Sequence, residues 1–289
     1  MSIYLDNPSA VYPAKATNSE EMIHVAKQVI STWSGIPEQS ITVTQLTGGV
    51  TNMLYVLHSP GAYPTKVVVR LFGLGTEQFV DREVENLVFS SLSRIKKAPT
   101  FFGLFQNGRV EGFLDARPLM PDEMYTDELS PKISRCVAEM HNLTDIEINK
   151  IEVLWEKFNI FFRLAENVSF PEDQVKEKLK LSLSLGDIRA EIERLKLDLD
   201  EMQRLFHEQS KKLLFTKDSD TADLMLYYRA LGAQLAFQNC FSHNDLLSGN
   251  ILLHNDGSMN MTIIDYEYAV SDHVYKNTAL PINAYPCIF

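Results

Sequence analysis

The chain has 289 residues, 45% of them hydrophobic, and a formal net charge of −11. That length and composition suffice for one large core or two lobes around a cleft, and they exclude a disordered or fibrous chain. The acidic balance argues against nucleic acid or an anionic membrane surface as partner, because both reward clustered Lys and Arg.

Met1 to Asn7 lacks the basic and apolar regions of a signal peptide, and no run approaches eighteen uncharged apolar residues, so neither secretion nor an integral membrane segment is expected. Cys136, Cys240 and Cys287 are too dispersed for a disulfide framework or a metal knuckle, which favours a reducing, cytoplasmic setting.

In chain order, Met22, Val25, Val29 and Trp33 share helical spacing behind Asn18/Ser19, predicting a helix over 19–33 that Gly35-Ile36-Pro37 ends. Ile41–Leu46 and Met53–Leu57 read as strands around the turn Thr47-Gly48-Gly49-Val50-Thr51-Asn52. A glycine-tipped hairpin of this kind can bring backbone N–H groups to phosphates, although plain turn chemistry explains a Gly-Gly pair equally well. Thr65–Gly73 is a buried-looking strand with Arg70 near its end, and Lys66 at its entrance reads as a solvated charge. A helix from about Thr76 carries Glu77, Asp81, Glu83 and Glu85 at its positive end, most of them read as surface charges.

Phe101–Phe105 and Arg109–Leu114 flank Asn107-Gly108, the strongest short-range hairpin signal, and bring the lobe to about five strands. Ser130-Pro131 reads as a cap and first-turn proline for a helix bearing Ile133, Val137, Met140 and a packed His141. In the charged, Leu-rich stretch 156–220, Ile188, Ile192, Leu195, Leu199, Met202 and Leu205 lie near heptad spacing, which suits a core-facing amphipathic helix better than a dimerising coil. Ala222–Gln238 reads as another helix.

The stretch Phe241-Ser242-His243-Asn244-Asp245-Leu246-Leu247-Ser248-Gly249-Asn250-Ile251-Leu252-Leu253, then Thr262-Ile263-Ile264-Asp265-Tyr266-Glu267-Tyr268, carries the chemistry. Phosphoryl transfer asks a protein for placed charges: a carboxylate at the nucleophile and oxygen ligands on a hard cation. Asp245 suits the first role, and Asn250 with Asp265 suits the second, holding Mg2+ on the phosphates of ATP. The two ligands should flank a hairpin turned at Asn255-Asp256-Gly257. His243 reads as a brace of the loop, though its place beside Asp245 counts it with the catalytic residues.

The loop H-N-D-x-x-x-x-N-I-L and the following I-D-Y-E-Y resemble those of the choline/ethanolamine kinase family, and Gly73 to Arg82 is more similar to its ethanolamine kinases. The resemblance implies an α+β, bilobal, protein-kinase-like fold: a β-rich nucleotide lobe over 1–114 and a mainly helical catalytic lobe over 115–289. It implies ATP with Mg2+ and phosphorylation of ethanolamine, with choline as a second substrate, as the first step of the CDP-ethanolamine route to phosphatidylethanolamine. It places Gly48, Gly49, Thr51 and Asn52 in a phosphate loop, gives Arg70 the phosphate-binding role, and has Glu85 orient it. Glu111 to Leu114 becomes the hinge that meets adenine, and Arg117 assists the nucleotide or lies on the surface. Asp245, Glu267 and Tyr268 become substrate residues: Glu267 suits an ammonium, whereas Tyr268 suits either acceptor. The 21 residues after Tyr268 depart from the continuation the resemblance implies, an atypically short C-terminus. A nucleotide-binding pseudoenzyme or truncated form, a kinase for another small alcohol, and a homodimer therefore stay open.

Overall fold

The computed structural model describes residues 11–46, 52–143, 146, 154–167, 185–215 and 239–273. Gly48, Gly49, Thr51, the 222–238 segment and Cys287 lie outside them. The contacts gather the chain into two units: the described residues up to 146 with His243–Ala269 in one, and the remainder in the other. The lobe boundary expected at 114/115 falls inside the first.

The first unit is built on a six-stranded sheet of order β1-β5-β6-β4-β3-β2: β1 (Val11–Tyr12), β2 (Thr42–Leu46), β3 (Asn52–His58), β4 (Lys66–Phe72), β5 (Phe101–Phe105) and β6 (Gly108–Gly112). About five strands were expected; the sixth, β1, is a two-residue parallel addition to β5, too short for an alternation to show. Alternation along β4 sorts its side chains. Val67, Val69 and Leu71 enter the main core with Val110, Leu57 and the buried face of α1 (Ser19–Val29), whereas Arg70 faces the other side. Asn18 caps α1 as its sequence suggests, accepting from the Glu21 N–H, but the α-helix stops at Val29 and a separate 3-10 turn carries Trp33.

The β5–β6 turn is Gln106-Asn107, one residue earlier than the expected Asn107-Gly108. Asn107 both donates to and accepts from Ala16, which pins the turn. Gly108 is a strand residue there because of close approach: a Cβ would lie 2.1 Å from the Arg70 carbonyl oxygen and 2.5 Å from the Phe105 ring.

α2 (Arg82–Arg94) begins later than the sequence suggests. Thr76–Gln78 is a 3-10 turn, and Asp81, expected as surface charge, is the cap that accepts from the Glu83 and Val84 N–H groups, stabilising the helix by about 1 kcal/mol. Beyond the sheet, β7 (Ala116–Pro118), β9 (Ile251–His254) and β10 (Met261–Ile263) form a second, three-stranded sheet of order β10-β9-β7. It packs its apolar side with Leu119, Met124, Leu129 and Ile133, the last on α3 (Ser130–His141). Ser130 is helical rather than the cap, since Leu129 occupies that position.

The second unit holds α4 (Leu154–Asn167), α5 (Leu185–Phe215) and the antiparallel pair β8 (Asn239–Ser242) and β11 (Val270–His273). The heptad positions of α5 do not bear out a core-facing helix. Ile192 and Leu199 are half-buried, but Leu195, Met202 and Leu205 are exposed. No helix among the described residues is long and apolar enough to cross a membrane.

Candidate active site

The β9–β10 hairpin turns at Asn255-Asp256-Gly257 as predicted, with Gly257 left-handed (φ 77°), and it sets Asn250 just before one strand and Asp265 just after the other. The Ile264 N–H donates to the Asn250 carbonyl oxygen at 2.9 Å, clamping the two ends side by side. Asn250 Nδ2 in turn donates to the Asp245 carbonyl oxygen at 2.8 Å and to Oδ2 at 3.1 Å. Three residues separated in sequence therefore meet at one point.

His243 holds that loop from beneath. It is fully buried, its Nδ1 accepts from the Asp245 N–H at 3.1 Å, and the remaining nitrogen, Nε2, consequently donates to the Ile264 carbonyl oxygen at 2.8 Å. Burial pushes its pKa down to about 4, against the smaller pull of the Ile264 carbonyl and Asp265, so the ring is neutral at pH 7. Both ring nitrogens are thus committed inside the loop, the arrangement expected of a brace.

Asp245 is poised differently. Burial raises its pKa to about 6, Asp265 adds like-charge repulsion, and the Asn250 amide only partly opposes them. A carboxylate so raised stays mostly ionised at pH 7 and is a stronger base than an ordinary Asp. Asp265 itself adopts a left-handed backbone (φ 68°), which a non-glycine residue enters at a cost of about 1–3 kcal/mol. Its Oδ1 is buried with no hydrogen bond, 3.5 Å from Arg70 Nη1. A buried carboxylate oxygen without a hydrogen bond and a side-chain amide oxygen are donors of the kind a hard divalent cation takes, so by their chemistry Asp265 and Asn250 fit a magnesium ion.

The sheet supplies the positive charge. Register puts Arg70 of β4 directly opposite Arg109 of β6, a like-charge pair that would be unfavourable alone. Glu111, two residues on and on the same face, resolves it: Oε1 accepts from Arg70 Nε at 3.2 Å and Oε2 from Arg109 Nε at 3.1 Å. Arg109 also donates to Glu85 of α2 at 2.8 Å and to Asn86 at 2.9 Å, with its guanidinium 4.2 Å from the Phe89 ring centroid. Glu85 takes a second bond from Arg82 at 2.6 Å, and Arg82 lies 3.9 Å from Glu267. The charges thus run Asp265, Arg70, Glu111, Arg109, Glu85, Arg82, Glu267, and the two ends sit two residues apart on one segment.

Electrostatics follow from this ring. Burial works to raise the pKa of Glu85, yet Arg109, Arg70 and Arg82 outweigh it and hold the carboxyl at about 2. Glu111 is likewise lowered, by Arg70 and Arg109 against burial. Arg70 is driven the other way, with Glu111, Asp265 and Glu85 overcoming burial to keep it charged.

Several expected roles shift accordingly. Glu85 is held by Arg82 and Arg109, while Arg70 is held by Glu111 and Asp265, so any orientation of Arg70 by Glu85 runs through intermediaries. Glu111 sits inside the ladder between Val68 and Phe101 and points its carboxylate at arginines, which makes it a counter-charge; the chain leaves the ladder only after Gly112. Arg117 is exposed and bonded in a fork to Glu123 at 2.6 and 2.7 Å. Lys66 is exposed as expected, 4.9 Å from the Phe113 ring centroid. Glu267 is buried facing Arg82, and Tyr268 is half-buried, its carbonyl oxygen accepting from Asn244 Nδ2. Asn52 is buried at the start of β3, opposite Phe72. Arg82, Asn86 and Arg109 were missed; the one available signal was the Arg109-x-Glu111 spacing, which puts both on one strand face beside a strand bearing Arg70.

Among known proteins, the chain is 29% identical over 86% of its length to a probable ethanolamine kinase of Arabidopsis thaliana, covering 57% of that protein. It is 28% identical over 90% of its length to probable choline kinase 2 of the same plant, covering 63% of it. The chain thus spans about three fifths of the length of these two relatives. A solved choline kinase from Cryptosporidium parvum superposes with a TM-score of 0.62 at 24% identity, over 89% of this chain and 66% of that one. That likeness shows the fold, α+β and protein-kinase-like. With the family model described as Choline/ethanolamine kinase matching residues 43–279, the chain belongs to the choline/ethanolamine kinase family.

Proposed function

We propose that the protein transfers the γ-phosphoryl group of ATP to the hydroxyl of ethanolamine, with choline as a second acceptor. The observation that carries this reading is the convergence of Asp245, Asn250 and Asp265 with Arg70 Nη1 3.5 Å from Asp265. The substrates come from the family, whose similar members are named ethanolamine and choline kinases.

In this reading Asp245 accepts the hydroxyl proton as the alcohol oxygen bonds to the γ-phosphorus, and the bond to the β–γ bridging oxygen breaks to release ADP. Arg70, kept charged and oriented by Glu111, neutralises phosphate oxygens. Asn250 and Asp265 would hold magnesium, which supplies charge neutralisation on the phosphates when bound. His243 keeps Asp245 facing the acceptor. Glu267, already near Arg82, contributes negative potential toward the acceptor's ammonium, with Tyr268 beside it.

The lobe division at 114/115, a phosphate loop at Gly48, Gly49, Thr51 and Asn52, a cytoplasmic setting and entry of phosphoethanolamine into the CDP-ethanolamine route belong to the same reading. ADP release by the purified chain with Mg-ATP should depend on ethanolamine, more weakly on choline, and vanish with no acceptor. Nucleotide binding without acceptor-dependent release would refute transfer by this chain.

A further inference from the structure

We propose that Arg109 is a positioning residue for phosphate binding, a buried relay through Glu111 that fixes the plane of the Arg70 guanidinium and couples it to α2. This rests on the phosphotransfer reading of the site. Arg109 is 1% exposed and cannot itself meet a nucleotide, so its donor nitrogens must serve other side chains. One nitrogen fixes Glu111 Oε2, which leaves Oε1 a single orientation, and Oε1 takes Arg70 Nε. With Nε so anchored, Nη1 of Arg70 projects toward Asp265, where phosphate would lie. A second nitrogen, Nη1, donates to both Glu85 and Asn86 on α2.

A helix carboxylate paired directly to the phosphate-binding cation would tie that cation to the helix in one step. Here the tie is longer. The neighbouring strand orients Arg70, and hydrogen bonds link α2 to it only through Arg109 and Glu111, with Glu85 adding longer-range charge. A lysine at position 109 preserves the charge but cannot bridge Glu85 and Glu111 together, because a single ammonium lacks the fork.

The test is the Mg-ATP affinity of R109K, measured by calorimetry on the full chain alongside its thermal melt. The expected result is a folded variant that binds Mg-ATP about tenfold more weakly, the scale of one lost charge-assisted contact, with KM for ethanolamine unchanged. Because Arg109 acts through Arg70, adding R109K to R70K should weaken binding by less than about twofold further. Full affinity in folded R109K, or the same tenfold loss in the R70K background, overturns the relay. Should R109K not fold, E111D, which shortens the bridge by one methylene, must show the tenfold loss; wild-type affinity there overturns it equally. A crystal structure of R109K separates the relay from the phosphotransfer reading: Arg70 displaced from Glu111 is expected, and Arg70 unmoved refutes the relay even if the wild type proves not to bind nucleotide.

Discussion

Two regions of this molecule are dense in Arg–carboxylate pairs, and they obey different physics. On α5, Arg194 bonds Glu191 and Asp198, and Arg204 bonds Glu201 and Glu208, with every partner about half exposed. Around Arg70, the side chains of Arg70, Glu111, Arg109 and Glu85 are 6%, 5%, 1% and 0% exposed. Water screens the first set and each pair stands alone, so losing a partner leaves a charge that solvent satisfies. In the second, desolvation has already been incurred, and each group is tolerable only while its neighbours remain. The same residue types decorate one region and hold a buried arginine in a fixed orientation in the other.

The largest effect should come at Asp245, beside the end of the buried ring at Asp265. Asp245→Asn is expected to lower acceptor-dependent turnover by about 10²–10⁴-fold, the range for loss of a general base. Its melting temperature should be no lower than wild type, because the substitution removes a carboxylate disfavoured by burial and by Asp265. A large loss of stability instead would place Asp245 among the structural groups.

Next in size is Glu111→Gln. Removing one partner of a buried network costs about 3–5 kcal/mol, here because Arg70 and Arg109 then face each other across the ladder without the carboxylate they share. The melting temperature should fall on the order of 10 °C. A fall no greater than that of an α5 variant would erase the contrast between the two regions.

Acid titration sharpens it further. Glu85 has a folded pKa of about 2, below its ordinary 4.5. A lowered folded pKa gives stability that is complete above the unfolded value and is lost as pH falls through the folded one. Urea midpoints of the wild type should therefore decline from about pH 4.5 toward 2, and Glu85→Gln should flatten that decline. The smallest effect belongs to α5, where Arg194→Ala and Arg204→Ala should leave the melting curve unchanged within error.

Legibility in sequence follows the same division. The meeting of Asp245, Asn250 and Asp265 was legible because they stand at fixed spacing around one hairpin, and the bracing bonds of His243 follow from its place beside them. Arg109 and Arg82 could not. One follows a hairpin turn and the other sits near a helix start, where an arginine normally meets solvent, and only the pairing of β4 with β6 and the packing of α2 bring them together. Asp81 looked like one surface acid among several because its capping role depends on where the helix begins. The α5 stripe misled in the opposite sense: heptad spacing states which residues share a face, and says nothing of whether that face is covered.

The most direct test of the central claim is phosphorus NMR of wild-type protein incubated with Mg-ATP and ethanolamine, beside Asp245→Asn. The account predicts a phosphoethanolamine resonance growing in step with ADP for the wild type, and neither at a comparable rate for the variant. Equal phosphoethanolamine formation by both proteins, or ADP and inorganic phosphate without the phosphoester, would contradict it.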